Sequence, residues 1–314
     1  MATPILKWAG GKRQLLDELY ARFPAAYDPA EHGYHEPFLG SGALCFDHEP
    51  RHGTVNDRNV RLHNFYVQVR DRPDALIARC REFDDPERDP DPNLQFSEVD
   101  RKGRAVDAYY YQQRALFNRR PNDEPFDELA EAARLLYLNR TGFNGLYREN
   151  ADGEFNVPIG RYADPDWVRA DQVREASRVL RRLPDDALRQ GEYDYVAAVA
   201  TPGDLVYFDP PYEPMSPTAD FAEYSAGGFD REDQLALLEL VTDLADRGVH
   251  VVLSNSGVMY DPYDEAGLYV DHVGATRAIN SDADARGEVN EVIATSVPPD
   301  ERRASGQRSL SAFE

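Results

Sequence analysis

Cysteine and lysine are both scarce in this sequence. Cys45 and Cys80 are its only cysteines, and their spacing is not CxxC, so neither a disulfide framework nor a cysteine-built metal site is expected. Lysine occurs only at positions 7, 12 and 102 among 35 basic residues, so arginine supplies almost all of the positive charge. We therefore expect no metal ion, and any function that needs a lysine has few candidates.

Long apolar runs are also missing. No stretch approaches the roughly 18 consecutive apolar residues that a membrane-spanning helix needs. The N-terminus, MATPILKWAGGKRQ, has no basic region followed by an apolar stretch and a cleavage site, which argues against secretion. We expect a cytoplasmic protein without a membrane partner, and 314 residues are enough to bury a large core in one or two domains.

Acidic residues are what the sequence has in excess. Its 57 Asp and Glu residues outweigh the basic ones and give a formal net charge of −22. Such a surface repels polyanions at long range, but at about 1 M salt the Debye length falls to roughly 3 Å and only direct contacts survive. An acid-rich, lysine-poor surface is typical of halophile proteins, and we favour that explanation. The alternative is a protein that never meets nucleic acid.

Strand and helix patterns alternate in two parts of the chain. Short apolar runs predict strands at 34–38, 53–57, 205–208 and 249–256. Helices are predicted after the first three of these strands and at 165–183, before the strand at 205–208. Residues 61–137, in contrast, show helical spacing and no strand alternation. This order predicts an α/β fold with a mostly helical insertion.

The same pattern predicts the domain boundaries. Residues 1–61 and 166–300 would form one discontinuous domain, into which 62–165 is inserted, and the polar tail 301–314 would be flexible. Turn signals at Asn144-Gly145 and Asp152-Gly153 favour a hairpin or an ordered loop over 139–162.

The stretch LVYFDPPY, residues 205–212, is the first candidate for chemistry. The strand cannot continue through two prolines, so the chain leaves the sheet at Asp209 along a stiff segment. That segment presents a carboxylate, the free carbonyl of Pro210 and the ring of Tyr212, which suits a planar substrate with an exocyclic amino group. The alternative is a strand end followed by a proline turn.

A second candidate site follows the first two strands. The glycine-rich FLGSG turn lets a ligand approach the backbone at a helix N-terminus, although it is neither GxGxxG nor a P-loop. Asp57, at the end of the next strand, can accept both hydroxyls of a ribose, which indicates an adenosine-bearing cofactor. Capping of the following helix beside Asn59 explains Asp57 equally well.

The N-terminal stretch LKWAGGK places Trp8 between Lys7 and Lys12. The Gly10-Gly11 pair exposes the backbone beside Lys12, whose ammonium could hold a carboxylate such as that of a methionine moiety. Two solvated lysines at a helix N-terminus are the alternative, which is less attractive in a chain that has so few lysines.

Taken together, these motifs resemble the Dam-type DNA adenine-N6 methyltransferases of the D12 class. The resemblance spans residues 5 to about 297 and rests on six motifs in the family's order: LKWAGGK, EPFLGSG, NRTGFNGLYREN, FNVPIGRY, DPPY and LSNS. It implies a Rossmann-like S-adenosylmethionine-dependent methyltransferase domain with an inserted, mostly helical target-recognition domain. The implied cofactor is S-adenosylmethionine, and the implied substrate is a flipped-out adenine in double-stranded DNA, most commonly at GATC.

The resemblance also implies roles for individual residues. The SNS stretch at 254–256 would close the far side of the pocket. The catalytic group would be Asp209, Pro210, Pro211 and Tyr212, and the cofactor would be bound by Trp8, Lys12, Glu36, Phe38, Gly40, Gly42, Asp57 and Asp209.

DNA contacts are implied mainly within 139–162. Arg148 has the best chemical support, because a guanidinium can bond guanine O6 and N7 together, whereas its alternative is a surface ion pair with Glu149 or Glu154. Ser216, Thr218 and Phe221 would line the cleft after DPPY. The implied DNA-binding residues are Lys7, Phe143, Asn144, Leu146, Arg148, Pro158, Tyr162 and Ser216.

Other functions remain open from the sequence. An adenine methyltransferase acting on RNA or on another DNA sequence is the runner-up, and protein glutamine methylation is disfavoured because those enzymes usually have NPPY. A DNA-binding relative without catalysis would have no reason to bind the cofactor. An acidic helical interaction protein conflicts with the α/β alternation. A monomer is expected, with a restriction nuclease as a possible functional partner.

Overall fold

A single mixed sheet organises the computed structural model, which describes residues 2–8, 10–83, 108–119, 127–150, 152–162, 165–212, 229–276 and 288–303. Seven strands of these ranges pair in the order β3-β2-β1-β4-β5-β7-β6. The first five in chain order are parallel, and β7 runs antiparallel to both β5 and β6. The strands are β1 (Tyr34–Glu36), β2 (Gly53–Asp57), β3 (Leu188–Gln190), β4 (Leu205–Phe208), β5 (His250–Ser256), β6 (Tyr269–Thr276) and β7 (Glu288–Thr295).

The strand order reverses between β1 and β4. From β1 the chain adds β2 and β3 on one side, and β4 then begins the other side of the sheet. Ligands of open α/β sheets bind outside the carboxyl ends of the strands at such a reversal. The predicted α/β, Rossmann-like class is thereby confirmed, and the functional site is expected beyond residues 36 and 208.

Helices cover both faces of the sheet, and their sequences explain where they begin. Asn59 accepts hydrogen bonds from the Arg61 and Leu62 amides, and Asp230 forms a capping box with Asp233. Both helices that we predicted around the β4 strand are present. The helices are α1 (Leu16–Tyr20), α2 (Ala43–His48), α3 (Val60–Asp71), α4 (Pro73–Glu82), α5 (Ala108–Asn118), α6 (Glu128–Thr141), α7 (Ala170–Leu180), α8 (Val196–Val199), α9 (Arg231–Asp246) and α10 (Tyr260–Glu265).

The segment between β2 and β3 is helical, as its periodicity predicts. Helices α3 and α4 both pack on α6, and α3 also contacts α7. Their buried side chains, such as Phe65 and Leu136, share one hydrophobic cluster with Tyr34 and Val55 of the sheet. The helical segment therefore stands on one face of the sheet, and the proposed domain boundaries stay a prediction.

Residues 142–150 and 152–162 follow α6 as a loop. Isolated antiparallel bridges pair Gly142 with Ile159 and Glu149 with Phe155, so the two arms of this loop meet without forming a continuous hairpin. The Asn144-Gly145 turn is confirmed, because both residues adopt positive φ, 55° and 68°. Among the described residues, a short 3₁₀ helix and these isolated bridges connect the two arms.

Some predictions concern other parts of the chain. Ser216, Thr218, Phe221 and residues 304–314 of the predicted tail lie outside the described residues. No helix in the described part of the chain is long and apolar enough to cross a membrane.

Candidate active site

The Asp209–Tyr212 segment leaves β4 at the strand-order reversal, where a site is expected. Lys12 Nζ lies 2.8 Å from Asp209 Oδ1, and the two side chains are 5% and 20% exposed. Lys12 enters from a short 3₁₀ helix, Lys12–Gln14, near the N-terminus. The fold thus joins two motifs that are almost 200 positions apart in the sequence.

Two hydroxyl groups fix the orientation of Asp209. Ser254 Oγ donates to Asp209 Oδ1 at 2.8 Å. Ser254 Oγ also lies 2.8 Å from the Tyr207 hydroxyl. Because serine has one hydroxyl proton and gives it to the carboxylate, Tyr207 must be the donor to Ser254. Both residues are buried strand positions. Lys12 and Ser254 both contact Oδ1 of Asp209, so Oδ2 is the oxygen that can accept a hydrogen bond from a ligand.

Lys12 keeps its positive charge although it is buried. Burial alone would lower the pKa of Lys12, but attraction to Asp209, Tyr207 and Glu291 outweighs it and the pKa is raised. Burial raises the pKa of the Asp209 carboxyl, and Lys12 limits that rise. Lys12 therefore remains an ammonium, and it also donates to the Gly10 carbonyl at 2.6 Å.

Tyr212 is held by a cation on its face and an acid at its hydroxyl. Lys12 Nζ lies 4.6 Å from the ring centroid, and the hydroxyl donates to Glu291 Oε2 at 3.2 Å. Glu291 belongs to β7 and pairs in register with Ser256 of β5. Our sequence analysis missed Glu291. The available signal is a carboxylate within the apolar run VNEVIAT.

Asp57 connects the first two strand ends. Its Oδ2 accepts from the Gly40 amide at 2.9 Å, and its Oδ1 accepts from the Asn59 amide at 2.8 Å. Asn59, and not Asp57, caps α3, so the capping alternative is wrong for Asp57. Burial raises the pKa of Asp57 to about 6, and the two amide donors oppose that rise. The carboxylate keeps further lone pairs for a ligand.

The glycine-rich turn makes room for aromatic side chains. Gly40 and Gly42 have φ of +49° and +67°, and a Cβ on Gly42 would lie 2.6 Å from Phe46. A Cβ on Gly40 would lie 3.1 Å from the indole of Trp8. The turn and Trp8 thus form one close-packed wall beside Asp57.

Glu36 and Phe38 bracket the end of β1. Glu36 is 2% exposed and accepts from the Tyr34 hydroxyl at 2.7 Å. Burial raises the pKa of Glu36 to about 8, helped by the nearby Asp209 and Asp57. Phe38 stacks on Tyr193, with ring centroids 5.3 Å apart. Tyr193, which lies just after β3, is a further aromatic side chain that our sequence analysis did not single out.

The N-terminal segment also contacts the 139–162 loop. The Asn139 amide bonds both backbone groups of Lys7, accepting at 2.9 Å and donating at 2.7 Å. Trp8 stacks on Tyr147 with centroids 4.9 Å apart, and Lys7 Nζ lies 3.3 Å from the Tyr162 hydroxyl. Lys7 and Tyr162, both predicted to bind DNA, therefore occupy one surface next to the Lys12 site.

The remaining loop candidates lie on or near that surface. Arg148 Nε donates to Asn156 Oδ1 at 2.7 Å, so neither Glu149 nor Glu154 is its partner among the described residues. In place of the alternative ion pair with a glutamate, Arg148 contacts Asn156 on the other arm of the loop. Phe143 and Tyr162 are exposed by 36% and 40%, Pro158 is also exposed, and Asn144 and Leu146 are half-buried.

Two arginines beside this surface were not singled out from the sequence. Arg140 ends α6 and Arg169 precedes α7, and Tyr137 and Trp167 bring the two segments together with rings 5.2 Å apart. The Nε atoms of both arginines are buried without a hydrogen-bond partner in the described structure. Burial and the charge of Arg169 lower the pKa of Arg140. Arg169 also adopts φ +54°, a strained value for a non-glycine residue.

Comparison with known proteins places this geometry in a family. A model of the D12 class N6 adenine-specific DNA methyltransferases matches residues 8–280. The chain belongs to this family. A type II methyltransferase, M1.LlaDCHI of Lactococcus lactis subsp. cremoris, is 36% identical to this chain over 296 residues, covering 93% of this chain and 94% of that protein.

Two further relatives show a similar extent of similarity. The DNA adenine methylase of Escherichia coli K12 is 34% identical, with 93% of this chain and 95% of the relative covered. The type II methyltransferase M.MjaIII of Methanocaldococcus jannaschii is 33% identical, with 90% and 94% covered. The predicted family and enzyme class are confirmed: this D12 protein is an adenine-specific DNA methyltransferase.

Proposed function

We propose that this D12 methyltransferase transfers a methyl group from S-adenosylmethionine to N6 of an adenine rotated out of duplex DNA. The observation that carries the proposal is the orientation of Asp209. Ser254 and Lys12 contact its Oδ1, so Oδ2 can accept an N–H of the target amine beside the ring of Tyr212. Rotating a base out of the duplex costs a few kcal/mol, and stacking on Tyr212 would offset part of this.

The proposed chemistry is positioning and charge stabilisation. Asp209 and the Pro210 carbonyl accept the two hydrogens of the amine and direct the nitrogen lone pair toward the methyl group. As the N–C bond forms, the S–C bond to the transferred methyl group would break and leave a neutral thioether, so the positive charge would pass to the nitrogen, where the adjacent carboxylate stabilises it. The nitrogen then loses one proton to Asp209 or to solvent, and no covalent enzyme intermediate is needed.

The residues around the glycine-rich turn fit the cofactor. The ammonium of Lys12 suits the carboxylate of the methionine moiety, and Asp57 suits the ribose hydroxyls. Gly40 and Gly42 admit a ligand next to Trp8, while Glu36 and Phe38 shape the end of β1. When bound, S-adenosylmethionine supplies an activated methyl group. The residues supply its binding and orientation.

DNA would approach the surface that carries Lys7 and the 139–162 loop. We propose that Arg148 bonds a guanine of a GATC site, that Phe143 and Asn144 intrude at the flipped base, and that Tyr162 contacts a phosphate. Leu146 and Pro158 would touch base edges, and Ser216, outside the described residues, would lie along the cleft. We also propose that residues 1–61 and 166–300 form the catalytic domain and that residues 62–165 form an inserted target-recognition domain.

The acidic surface makes function dependent on salt. We propose that molar salt screens the net charge of −22 and permits contact with DNA through a few cations. Cys45 and Cys80 are both free and buried, which fits a reducing cytoplasm. We propose a monomer that either acts alone or accompanies a restriction nuclease.

The test is methyl transfer from labelled S-adenosylmethionine to unmethylated plasmid DNA in molar KCl. Digestion with nucleases that differ in sensitivity to GATC methylation then identifies the site. Label in DNA with a matching change in cutting supports both parts of the proposal. Label without that change supports the chemistry and rejects GATC. Cofactor binding without labelled DNA directs the assay to RNA, and activity at low salt with none above about 1 M rejects the halophile interpretation.

A further inference from the structure

The Asp209–Tyr212 segment has few backbone groups through which the rest of the fold can hold it in place. Pro210 and Pro211 have no N–H, so this part of the segment can be held only through its carbonyl oxygens and side chains. In the structure Gln234 Nε2 donates to the Pro211 carbonyl at 2.8 Å. Gln234 lies in the first turn of α9 and is fully buried, with 0% exposure.

A second amide determines which way Gln234 faces. Asn255 Nδ2 donates to Gln234 Oε1 at 2.9 Å, so the Nε2 end must point toward Pro211. Asn255 is oriented in turn, because its Oδ1 accepts from the Ser256 amide at 2.8 Å and its Nδ2 also donates to the Tyr263 hydroxyl at 2.9 Å. Asn255 therefore donates to Gln234, and Gln234 donates to the Pro211 carbonyl.

Packing alone does not call for an amide at this position. Gln234 shares the buried face of α9 with Leu237, Leu238 and Val241, where an aliphatic side chain would fill the same space. A buried amide is stable only while its partners are present, since an unsatisfied polar group is unfavourable. The specific feature that Gln234 adds is a donor to the Pro211 carbonyl.

We propose that Gln234, oriented by Asn255, is a positioning residue for methyl transfer. It occupies the Pro211 carbonyl and thereby leaves the Pro210 carbonyl, beside Asp209, to accept from the target amine. Gln234 touches no reacting atom and acts only through the segment that it holds. The inference rests on the proposed function of Asp209 and Pro210.

Two substitutions test the donor. Gln234→Met keeps the length but removes the donor, so we expect kcat to fall by about 10- to 100-fold, the range expected for slight misplacement of a reacting group. The Kd of S-adenosylmethionine should stay within about twofold, because the Gln234 side chain bonds Pro211 and Asn255, which are not among the proposed cofactor residues. Gln234→Glu should be equally impaired at high pH, since a carboxylate cannot donate to Pro211, and should recover as pH falls and the carboxyl becomes protonated.

Gln68 offers a matched control. It is 3% exposed in α3, and its Nε2 lies 3.4 Å from Glu128 Oε2, away from the proline segment. Gln68→Met and Gln68→Glu create the same chemical changes in a buried helix position. They should retain the kcat of the wild type at every pH at which the protein is folded.

Hydrogen exchange provides a readout that does not need activity. The amides of Asp209 and Tyr212 should exchange at least about fivefold faster in Gln234→Met than in Gln68→Met, because the segment between them is released. If exchange and kcat both match those of the wild type in folded Gln234→Met, the inference is wrong. If the wild type does not methylate DNA, the proposed function fails, and the exchange comparison still decides whether Gln234 holds the segment.

Discussion

Lys12 Nζ and Asp209 Oδ1 form a 2.8 Å ion pair that joins the N-terminal motif to the end of β4. The lysine is buried, so the pair is largely shielded from solvent and from salt. This relationship links two proposed tasks, holding the cofactor and accepting the target amine. It also makes the ionisation of Asp209 depend on Lys12.

Removing the lysine charge should shift the pH dependence of catalysis. Lys12 opposes the rise in the pKa of Asp209 that burial causes, so Lys12→Met should raise that pKa further. Since Asp209 must be ionised to accept the amine, the acid limb of the kcat profile should move to higher pH. The measurement is kcat from pH 5 to 9 with saturating cofactor in molar KCl. An unchanged acid limb would mean that the ionisation of Asp209 does not set the acid limb of the kcat profile.

The ring and the hydroxyl of Tyr212 should contribute separately. Tyr212→Ala removes the stacking surface, worth about 1–3 kcal/mol for a base, and should weaken base flipping by roughly 10- to 100-fold. Tyr212→Phe keeps the ring, loses the hydroxyl contacts to Glu291 and Ser254, and should retain most of the flipping. Fluorescence of 2-aminopurine at the target position measures this step apart from methyl transfer. Equal losses in the two variants would contradict stacking.

Arg148 should govern discrimination at one base pair. Arg148→Ala should reduce the preference for guanine at the contacted position by about 1–3 kcal/mol while methylation of altered sites falls much less. The comparison is kcat/KM for GATC duplexes and for duplexes with that guanine replaced. Asn156→Ala, which removes the 2.7 Å partner of Arg148, should produce a smaller loss in the same direction. A uniform loss at all sequences would assign Arg148 to the DNA backbone.

Arg140 should contribute to backbone binding. The side chain is half-buried and its charge interacts with Tyr162, so a DNA phosphate near Tyr162 would pair with this charge. Arg140→Ala should weaken binding to all sequences alike and reduce the slope of log K against log salt by about 0.9. Arg174, which is half exposed and paired with Asp74, provides a control whose replacement by Ala should leave the slope unchanged. An unaltered slope in Arg140→Ala would exclude the phosphate contact.

Glu36 should make the protein less stable at high pH. Its pKa is raised to about 8 in the folded state from an ordinary value of 4.5, so folding favours the protonated form. Its contribution to stability is therefore complete below about pH 4 and is lost as pH rises toward 8. Glu36→Gln should increase the free energy of unfolding by about 2–4 kcal/mol above pH 8 and change it little near pH 4. Denaturant unfolding at constant molar salt measures this, and equal effects at both pH values would contradict it.

Local sequence patterns were sufficient for several elements. The β4 strand is present at 205–208 because an apolar run is bounded by a turn and by prolines, both of which act locally. The left-handed turn at Asn144-Gly145 follows from residues that tolerate positive φ. In each case the physical cause lies within a few residues of the element.

Contacts across the fold were not predictable in the same way. Arg148 pairs with Asn156 because the backbone of the loop brings the two residues together: the Asn156 amide donates to the Arg148 carbonyl at 3.0 Å. The sequence suggested Glu149 or Glu154 as the partner, because the backbone pairing of the loop cannot be read from it. Glu291 reaches Tyr212 because β7 is inserted between β5 and β6. Strand order is a property of the whole sheet, and the local alternation of VNEVIAT carries no information about it.

The sequence by itself determined the family, the α/β alternation and the motifs that carry the chemistry, because residue type and spacing are enough for each. Tertiary structure alone decided which groups meet: Lys12 with Asp209, Glu291 with Tyr212, and Gln234 with the Pro211 carbonyl. These partners come from strands and helices far apart in the chain. Their meeting depends on sheet order and helix packing, which minimise the free energy of the whole molecule and are not encoded in any single segment.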